Sequence, residues 1–163
     1  MSLDRDIAIL ARVPLFEGMA ADHLRLLAFS AVRLEVPAGS VLFEKGASAK
    51  SGYVVARGLI QLVDGSGADR QVLADCVEGT LIGEIALFVE TVRPATAIAA
   101  TDAQVIDLGR AGVTRMVREY PEVAVQLHAR LSRRLSGTMK DLVAIGSTLT
   151  PVALPPLNLP DAG

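Results

Sequence analysis

The residues of this chain whose types and spacing could form a ligand-binding site lie between Leu81 and Ala97. Gly83 has no side chain, so the backbone can turn sharply there or approach a ligand closely. The residues that follow it are long enough for about one and a half helical turns, whose first N–H groups can bind an anion such as a phosphate. Arg93 can offer a planar fork of donors to the same anion, and Glu84 can accept a hydrogen bond from a sugar hydroxyl. The stretch therefore predicts a site for one small anionic sugar ligand.

Each of these residues also has an ordinary structural interpretation. Arg93 could form a surface salt bridge with Glu84 or Glu90, which would contribute little to stability. Glu84 could be an acidic residue that favours the start of a helix. The separation of nine residues between Glu84 and Arg93, with an apolar run between them, favours the ligand site.

Two short motifs resemble the phosphate-binding cassette of cyclic nucleotide-binding domains. They are G-E-I-A-L from Gly83 to Leu87 and R-P-A-T-A from Arg93 to Ala97. Such domains are the sensors of the bacterial catabolite activator protein, of protein kinase A regulatory subunits and of cyclic-nucleotide-gated channels. The resemblance extends over roughly residues 10 to 145, and it includes Gly39, Gly46, Gly58 and a helix that begins near Tyr120.

The resemblance implies a role for each residue of the site. Glu84 would accept a hydrogen bond from the ribose 2′-hydroxyl, and Arg93 would pair with the cyclic phosphate. Backbone N–H groups near Gly83 would bind phosphate oxygens, and Thr138 would contact the adenine amino group. The residues so assigned to the ligand are Ile82, Gly83, Glu84, Ile85, Ala86, Arg93, Pro94, Ala95 and Thr138, and Val72 and Leu73 are expected to pack on the ribose and base.

Pro94 departs from the family pattern. Many family members have Ala, Ser or Thr at this position, and those residues offer an N–H or a hydroxyl to the phosphate, whereas proline offers neither. One phosphate contact is therefore expected to be missing, with a lower affinity. A Thr at this position favours cyclic GMP in eukaryotic relatives, so its absence favours cyclic AMP, with cyclic GMP as the alternative.

Composition excludes several other functions. The chain has 163 residues, which predicts one domain, and its net charge of −2 gives no overall field for nucleic acid. One Cys and two widely separated His residues provide no metal-ligand spacing, and no nucleophile-elbow motif is present. The N-terminus has no apolar signal core, and prolines interrupt the uncharged run near the C-terminus. We therefore expect a cytoplasmic protein without a cofactor, enzymatic activity or membrane span.

The pattern along the chain predicts a mainly β fold with flanking helices. Residues 4–30 are predicted to form two helices, with a break at Pro14 and a second start at Asp22. Short strands are predicted at 31–36, 41–43, 51–56, 59–63, 70–75 and 94–108, separated by glycine-rich turns, which is typical of a double-stranded β-helix, or jelly-roll-like β-roll. Further helices are expected from Gly109 to Tyr120 and from 122 to 144. The predicted segments are thus 1–30, 31–109 with the cassette at 81–97, 110–149, and a Pro-rich tail at 150–163, together one cyclic nucleotide-binding domain.

The last helix carries a heptad-like seam of apolar residues. Leu131, Leu135, Thr138, Leu142, Ile145 and Leu149 are spaced 4, 3, 4, 3 and 4 residues apart. Part of this face must pack on the barrel, but the seam is longer than one small barrel can cover. It therefore favours a parallel homodimer through Leu131, Leu135, Leu142 and Ile145.

Together these features predict a cyclic nucleotide sensor that couples ligand binding to movement of its C-terminal helix and acts on an unidentified effector protein or domain. One alternative is the sensor half of a catabolite-activator-like transcription regulator without its helix-turn-helix, because the sequence after the long helix is rich in proline. On this basis we expect no direct nucleic acid binding by the chain itself. Another alternative is a dimeric interaction module that no longer binds nucleotide, an interpretation supported by Pro94.

Overall fold

Two helices and a 3-10 turn precede the strands in the computed structural model, which describes residues 2–144 and the side chains of residues 3–133. Helix α1 spans Ser2–Ala11, the 3-10 turn spans Pro14–Phe16, and helix α2 spans Ala21–Ser30. Helix α1 ends at Ala11, before Pro14, which confirms the predicted break because proline disfavours a continuing helix. Helix α2 begins at Ala21 and not at Asp22. The carboxylate of Asp22 lies in the first turn, where it stabilises the helix by its attraction to the positive end of the helix dipole.

Ten short strands follow within the described residues and form an antiparallel β-roll. Two four-stranded sheets have the orders β1-β10-β4-β7 and β2-β9-β5-β6, and β3 pairs with β8. The strands are β1 Val32–Val36, β2 Val41–Phe43, β3 Ser48–Ala49, β4 Ser51–Arg57, β5 Ile60–Asp64, β6 Gln71–Cys76, β7 Leu81–Ile82, β8 Thr91–Val92, β9 Thr96–Ala99 and β10 Ala103–Gly109. The expected fold, mainly β with flanking helices, is confirmed.

The strand predictions fail where an element is very short or where the chain changes sheet. The single strand predicted at 94–108 is two strands, because the chain leaves β9 at 100–102 and returns in the other sheet as β10. Strands β3, β7 and β8 were not predicted, because two residues are too few to produce an alternating pattern.

Two helices close the roll at its C-terminal end. Helix α3 spans Arg110–Glu119 after Gly109, and helix α4 spans Pro121–Ala144. These bounds confirm the predicted starts of both helices to within a residue. Proline fits the first position of α4 because an N–H there would have no partner within the helix. Among the described residues, no helix is long and apolar enough to cross a membrane.

The core consists of two clusters on the two sides of the β1-β10-β4-β7 sheet. One joins this sheet to the helices and includes Leu10, Phe16, Leu27, Met116, Leu127 and Leu131, whereas the other fills the roll and includes Val55, Ile60, Ile82 and Val105. Leu131 is only 2% exposed and therefore belongs to the core of its own chain, which corrects its expected place in a dimer seam. The other seam positions, which are Leu135, Leu142 and Ile145, have side chains outside the described residues.

An ion pair between buried Asp6 and half-buried Arg33 fastens helix α1 to the roll. The Asp6 carboxylate on α1 accepts a hydrogen bond from Arg33 Nη2 on β1, and Arg33 Nη1 donates to Gln104 Oε1 on β10 at 2.7 Å. The Gln104 amide in turn donates to Glu35 Oε1 at 2.6 Å. One network therefore connects the N-terminal helix to two neighbouring strands.

Candidate functional site

Gly83 turns the chain from strand β7 into a 3-10 turn at Glu84–Leu87, called here the site turn. Its backbone is left-handed, with φ +75° and ψ +37°, a conformation that costs energy for any residue with a Cβ. A Cβ added at Gly83 would also collide with Arg93 Nη1. Glycine is therefore required both for the turn and for the close approach of the arginine.

Arg93 follows strand β8, and its backbone is fixed on both sides of the peptide. Its N–H donates to Ala47 O and its carbonyl accepts from Gly46 N–H, both at 2.8 Å. The side chain points into the roll, where Nη2 donates to Ser51 O at 2.8 Å. Only 4% of the residue is exposed, so this arginine is a buried cation.

Two aromatic rings hold the guanidinium of Arg93. Its central carbon lies 4.3 Å from the centroid of Phe43 and 5.3 Å from that of Tyr53, and the two rings stack on each other at 5.9 Å. Cation–π attraction of this kind strengthens when the charge is desolvated. The sequence analysis missed both rings, because they lie on strands β2 and β4, 50 and 40 residues before Arg93 in the chain, and no local pattern links them to it.

Two donors of Arg93 lack a partner. Nε and Nη1 are buried and form no hydrogen bond within the part of the chain that the structure describes. Burial lowers the pKa of Arg93 from its ordinary value, and the neighbouring Tyr53 and Asp107 oppose this change. Arginine nevertheless stays protonated at ordinary pH. The contacts that hold this side chain are therefore the carbonyl of Ser51 and the two aromatic rings.

The other residues assigned to the ligand surround this arginine to different degrees. Ile82, Ala86 and Ala95 are buried, and Glu84 and Ile85 are half-buried in the site turn, whereas Pro94 is exposed. The structure thus brings the two cassette motifs together around Gly83 and Arg93. The side chain of Thr138 lies outside the described residues.

Val72 and Leu73, which are expected to pack on the ribose and base, lie on strand β6. They are 53% and 55% exposed, and Leu73 is the extra residue at an irregularity in the β5–β6 pairing. Leu62 and Ala74 pair opposite each other two residues from Ile60 and Cys76, which lie in the core of the roll. Because side chains alternate along a strand, Leu62, which packs partly buried against this core, faces the interior, whereas Ala74 is exposed. The irregularity could not be located from the sequence.

Comparison with known proteins identifies the family. The family model of the cyclic nucleotide-binding domain matches residues 33–120, which are more than half of the chain. The chain belongs to this family.

Three relatives illustrate the similarity. The chain is 34% identical over 123 residues to the cyclic AMP receptor protein of Thermus thermophilus. A cyclic nucleotide-binding-like protein from Brucella abortus is 37% identical, with a TM-score of 0.63 over 69% of this chain and 97% of that one. The N-terminal domain of a transcriptional regulator from Streptomyces coelicolor is 30% identical, with a TM-score of 0.73 over 82% of this chain and 94% of that one.

The chain spans only part of the length of the curated relatives it matches. The similarity to the Thermus protein covers 75% of this chain and 57% of that protein. A lysophospholipase from Chaetomium globosum is 28% identical over 109 residues, which are 66% of this chain and 7% of that enzyme. Proteins of different activities thus contain a domain similar to this one.

Proposed function

We propose that this chain is a receptor for a cyclic nucleotide, with cyclic AMP as its ligand and Arg93 as the anchor for the cyclic phosphate. The observation that carries the proposal is the buried guanidinium of Arg93, whose Nε and Nη1 have no partner among the described residues. Buried donors without a hydrogen-bond partner are costly, and a cyclic phosphodiester supplies one negative charge and several acceptor oxygens. A charge-assisted hydrogen bond of this kind contributes roughly 1.5–3 kcal/mol.

The rest of the ligand would contact the residues beside Arg93. Glu84 is half-buried at the first position of the site turn, one residue from Gly83, and would accept a hydrogen bond from the ribose 2′-hydroxyl. Ile82 and Leu62 offer apolar surface from the interior of the roll, and burying the base there stabilises the complex by about 25 cal/mol per Å². This set of groups binds and orients a ligand without a nucleophile or a general base in a catalytic arrangement, so we propose a receptor and not an enzyme.

The absence of a hydroxyl at Pro94 supports cyclic AMP over cyclic GMP as the ligand. Pro94 is exposed beside the anchor arginine, and it has neither an N–H nor a side-chain hydroxyl to give to a second acceptor. The name of the Thermus relative, a cyclic AMP receptor protein, agrees with this choice.

The signal would leave the domain through helix α4. Val123, Leu127 and Leu131 pack this helix on the core, so a shift of the site turn can change the balance between two positions of the helix. The continuation of the seam through Leu135, Leu142 and Ile145 would form a homodimer in the cytoplasm, and the effector would be a partner protein or domain. The match to 94% of a transcriptional regulator's N-terminal domain supports a second candidate, the sensor half of such a regulator.

Thermal unfolding with added nucleotides tests the proposal. Wild type, Arg93→Met and the control Arg25→Met, which changes an exposed arginine on α2, would each be unfolded alone and with cyclic AMP, cyclic GMP or linear AMP. A ligand at 100 times its Kd stabilises by about 2.7 kcal/mol, which raises Tm by roughly 5–10 °C for a chain of this size. We expect this shift with cyclic AMP in wild type and in the control, and its loss in Arg93→Met.

Two outcomes would contradict this proposal. If folded, nucleotide-free wild type shows no shift with any of the nucleotides, the dimeric interaction module becomes the better interpretation. If Arg93→Met keeps the full shift, another residue is the phosphate anchor.

A further inference from the structure

Three consecutive backbone carbonyls accept hydrogen bonds from two arginines. Ala49 O accepts from Arg110 Nη2 at 2.8 Å, and Lys50 O accepts from the main-chain N–H of Arg110 at 3.1 Å. The next carbonyl, Ser51 O, accepts from Nη2 of the anchor residue Arg93 at 2.8 Å. The first residue of α3 and the anchor arginine thus bind the same short segment of chain.

Arg110 also binds the site turn directly. Its Nε donates to Ala86 O at 2.8 Å, and Ala86 is buried within the turn. One planar guanidinium therefore bridges two backbone segments, at residues 49 and 86, that no strand pairing joins. A rigid fork of donors suits this task, because both acceptors can be reached with little loss of side-chain freedom.

The position of Arg110 connects these hydrogen bonds to the C-terminal helices. It is the first residue of α3, which packs against α2 and leads through Tyr120 into α4. Arg115 and Arg118, the other arginines of this helix, are exposed. Arg110 alone among the arginines of α3 is half-buried and bound to backbone carbonyls.

We propose that Arg110 is a positioning residue, which fixes the site turn and the 49–51 segment to the start of α3 and transmits ligand occupancy from Arg93 to the C-terminal helices. An anion that binds the free Nε and Nη1 of Arg93 shifts the guanidinium, whose Nη2 holds Ser51 O. The shift moves the 49–51 segment, and Arg110 carries the movement into α3. The transmission step rests on the proposed function, whereas the positioning step does not.

Hydrogen exchange of the unliganded protein tests the positioning step. Wild type, Arg110→Met, Arg110→Lys and the control Arg115→Met would be compared over peptides that cover residues 83–89 and 47–52. Loss of two charge-assisted hydrogen bonds should raise exchange in both segments about tenfold or more in Arg110→Met and leave the control at the wild-type rate. Lysine keeps the charge but cannot span both carbonyls, so Arg110→Lys should restore protection in one segment only.

Several results would overturn the positioning step. Wild-type exchange in both segments of Arg110→Met would do so, and so would full protection of both segments in Arg110→Lys. If Arg110→Met does not fold, the lysine variant alone decides the question by the same criterion.

The transmission step is tested with saturating cyclic AMP. In wild type the ligand should change exchange across residues 110–131, whereas in Arg110→Met it should still bind through Arg93 but leave this region unchanged. A ligand response in 110–131 that persists in Arg110→Met overturns the transmission step. If wild type does not bind cyclic AMP, the proposed function fails, but the unliganded comparison still decides the role of Arg110.

Discussion

At the scale of single residues, Gly83 and Arg93 depend on each other. Gly83 leaves the space that Arg93 Nη1 occupies, and its left-handed backbone starts the site turn beside the guanidinium. Phe43 and Tyr53 close the other side of the charge. The fold itself therefore holds these residues in place, which would reduce the ordering that the proposed ligand must bring about on binding.

Replacing Gly83 with alanine should damage both the fold and the site. A non-glycine residue in the left-handed region costs about 1–3 kcal/mol, and the new methyl group would also displace Arg93. The expected result is a loss of unfolding free energy of about that size, measured in urea, together with loss of nucleotide binding.

Gly109→Ala provides the matched control for this prediction. Gly109 has φ −71° and an added Cβ there would meet open space, so stability and binding should stay near wild type. Equal losses in the two variants would show that the geometry at Gly83 is not special.

At the scale of elements, helix and strand boundaries could be predicted from the sequence wherever a local pattern marks them. Strand β2 was predicted with its observed bounds, and Pro14, Gly109 and Pro121 marked helix boundaries because their effects on the backbone are local. The two-residue strands were missed because their pairing partners are distant in the chain.

The candidate site shows the same division between local and distant signals. Gly83 and Arg93 could be recognised from motif and spacing. Phe43, Tyr53 and Arg110 could not be recognised in this way. The two rings contact the guanidinium of a residue that is distant in the chain, and Arg110 binds backbone carbonyls, which every residue has, so no local sequence pattern marks these contacts.

Helix α1 should depend on the Asp6–Arg33 ion pair for its attachment. Asp6→Ala leaves Arg33 partly buried without its carboxylate, and breaking a buried pair in this way costs about 3 kcal/mol or more. Urea unfolding of Asp6→Ala should detect this loss, whereas Asp4→Ala, which changes an exposed carboxylate on the same helix, should stay near wild type. A loss under about 1 kcal/mol in Asp6→Ala would mean that the pair contributes as little as a surface pair.

At the scale of the whole molecule, the interior of the roll and the helical cluster meet at one sheet, so a change at the site can reach the helices through packed residues. Interior positions such as Ile82 and Val55 lie on one side of this sheet, and Leu81 and Val54 pack with the helices on the other. Because close-packed interiors transmit strain, this packing supplies the path that the proposed coupling of the site to the helices requires.

Cys76 gives the roll a predictable response to alkaline pH. The residue is 4% exposed, and burial raises the pKa of its thiol, with a smaller contribution from Asp75. The folded state therefore favours the neutral thiol, and this contribution is complete below the unfolded pKa and lost as pH rises through the folded pKa. Urea unfolding at about pH 7 and about pH 10 should show a larger loss of stability in wild type than in Cys76→Ala. Equal losses in the two proteins would mean that the thiol is not protected from ionisation.

The stacking of Arg93 on Tyr53 has an optical consequence. The chain has no tryptophan and two tyrosines, so its ultraviolet emission comes from Tyr53 and Tyr120. The guanidinium of Arg93 lies 5.3 Å from the centre of the Tyr53 ring, and any movement of that charge alters the electric field on the fluorophore. With Tyr120 replaced by phenylalanine, the protein would carry a single tyrosine, in contact with the proposed anchor charge, and occupancy of the site could be followed by tyrosine fluorescence without a label.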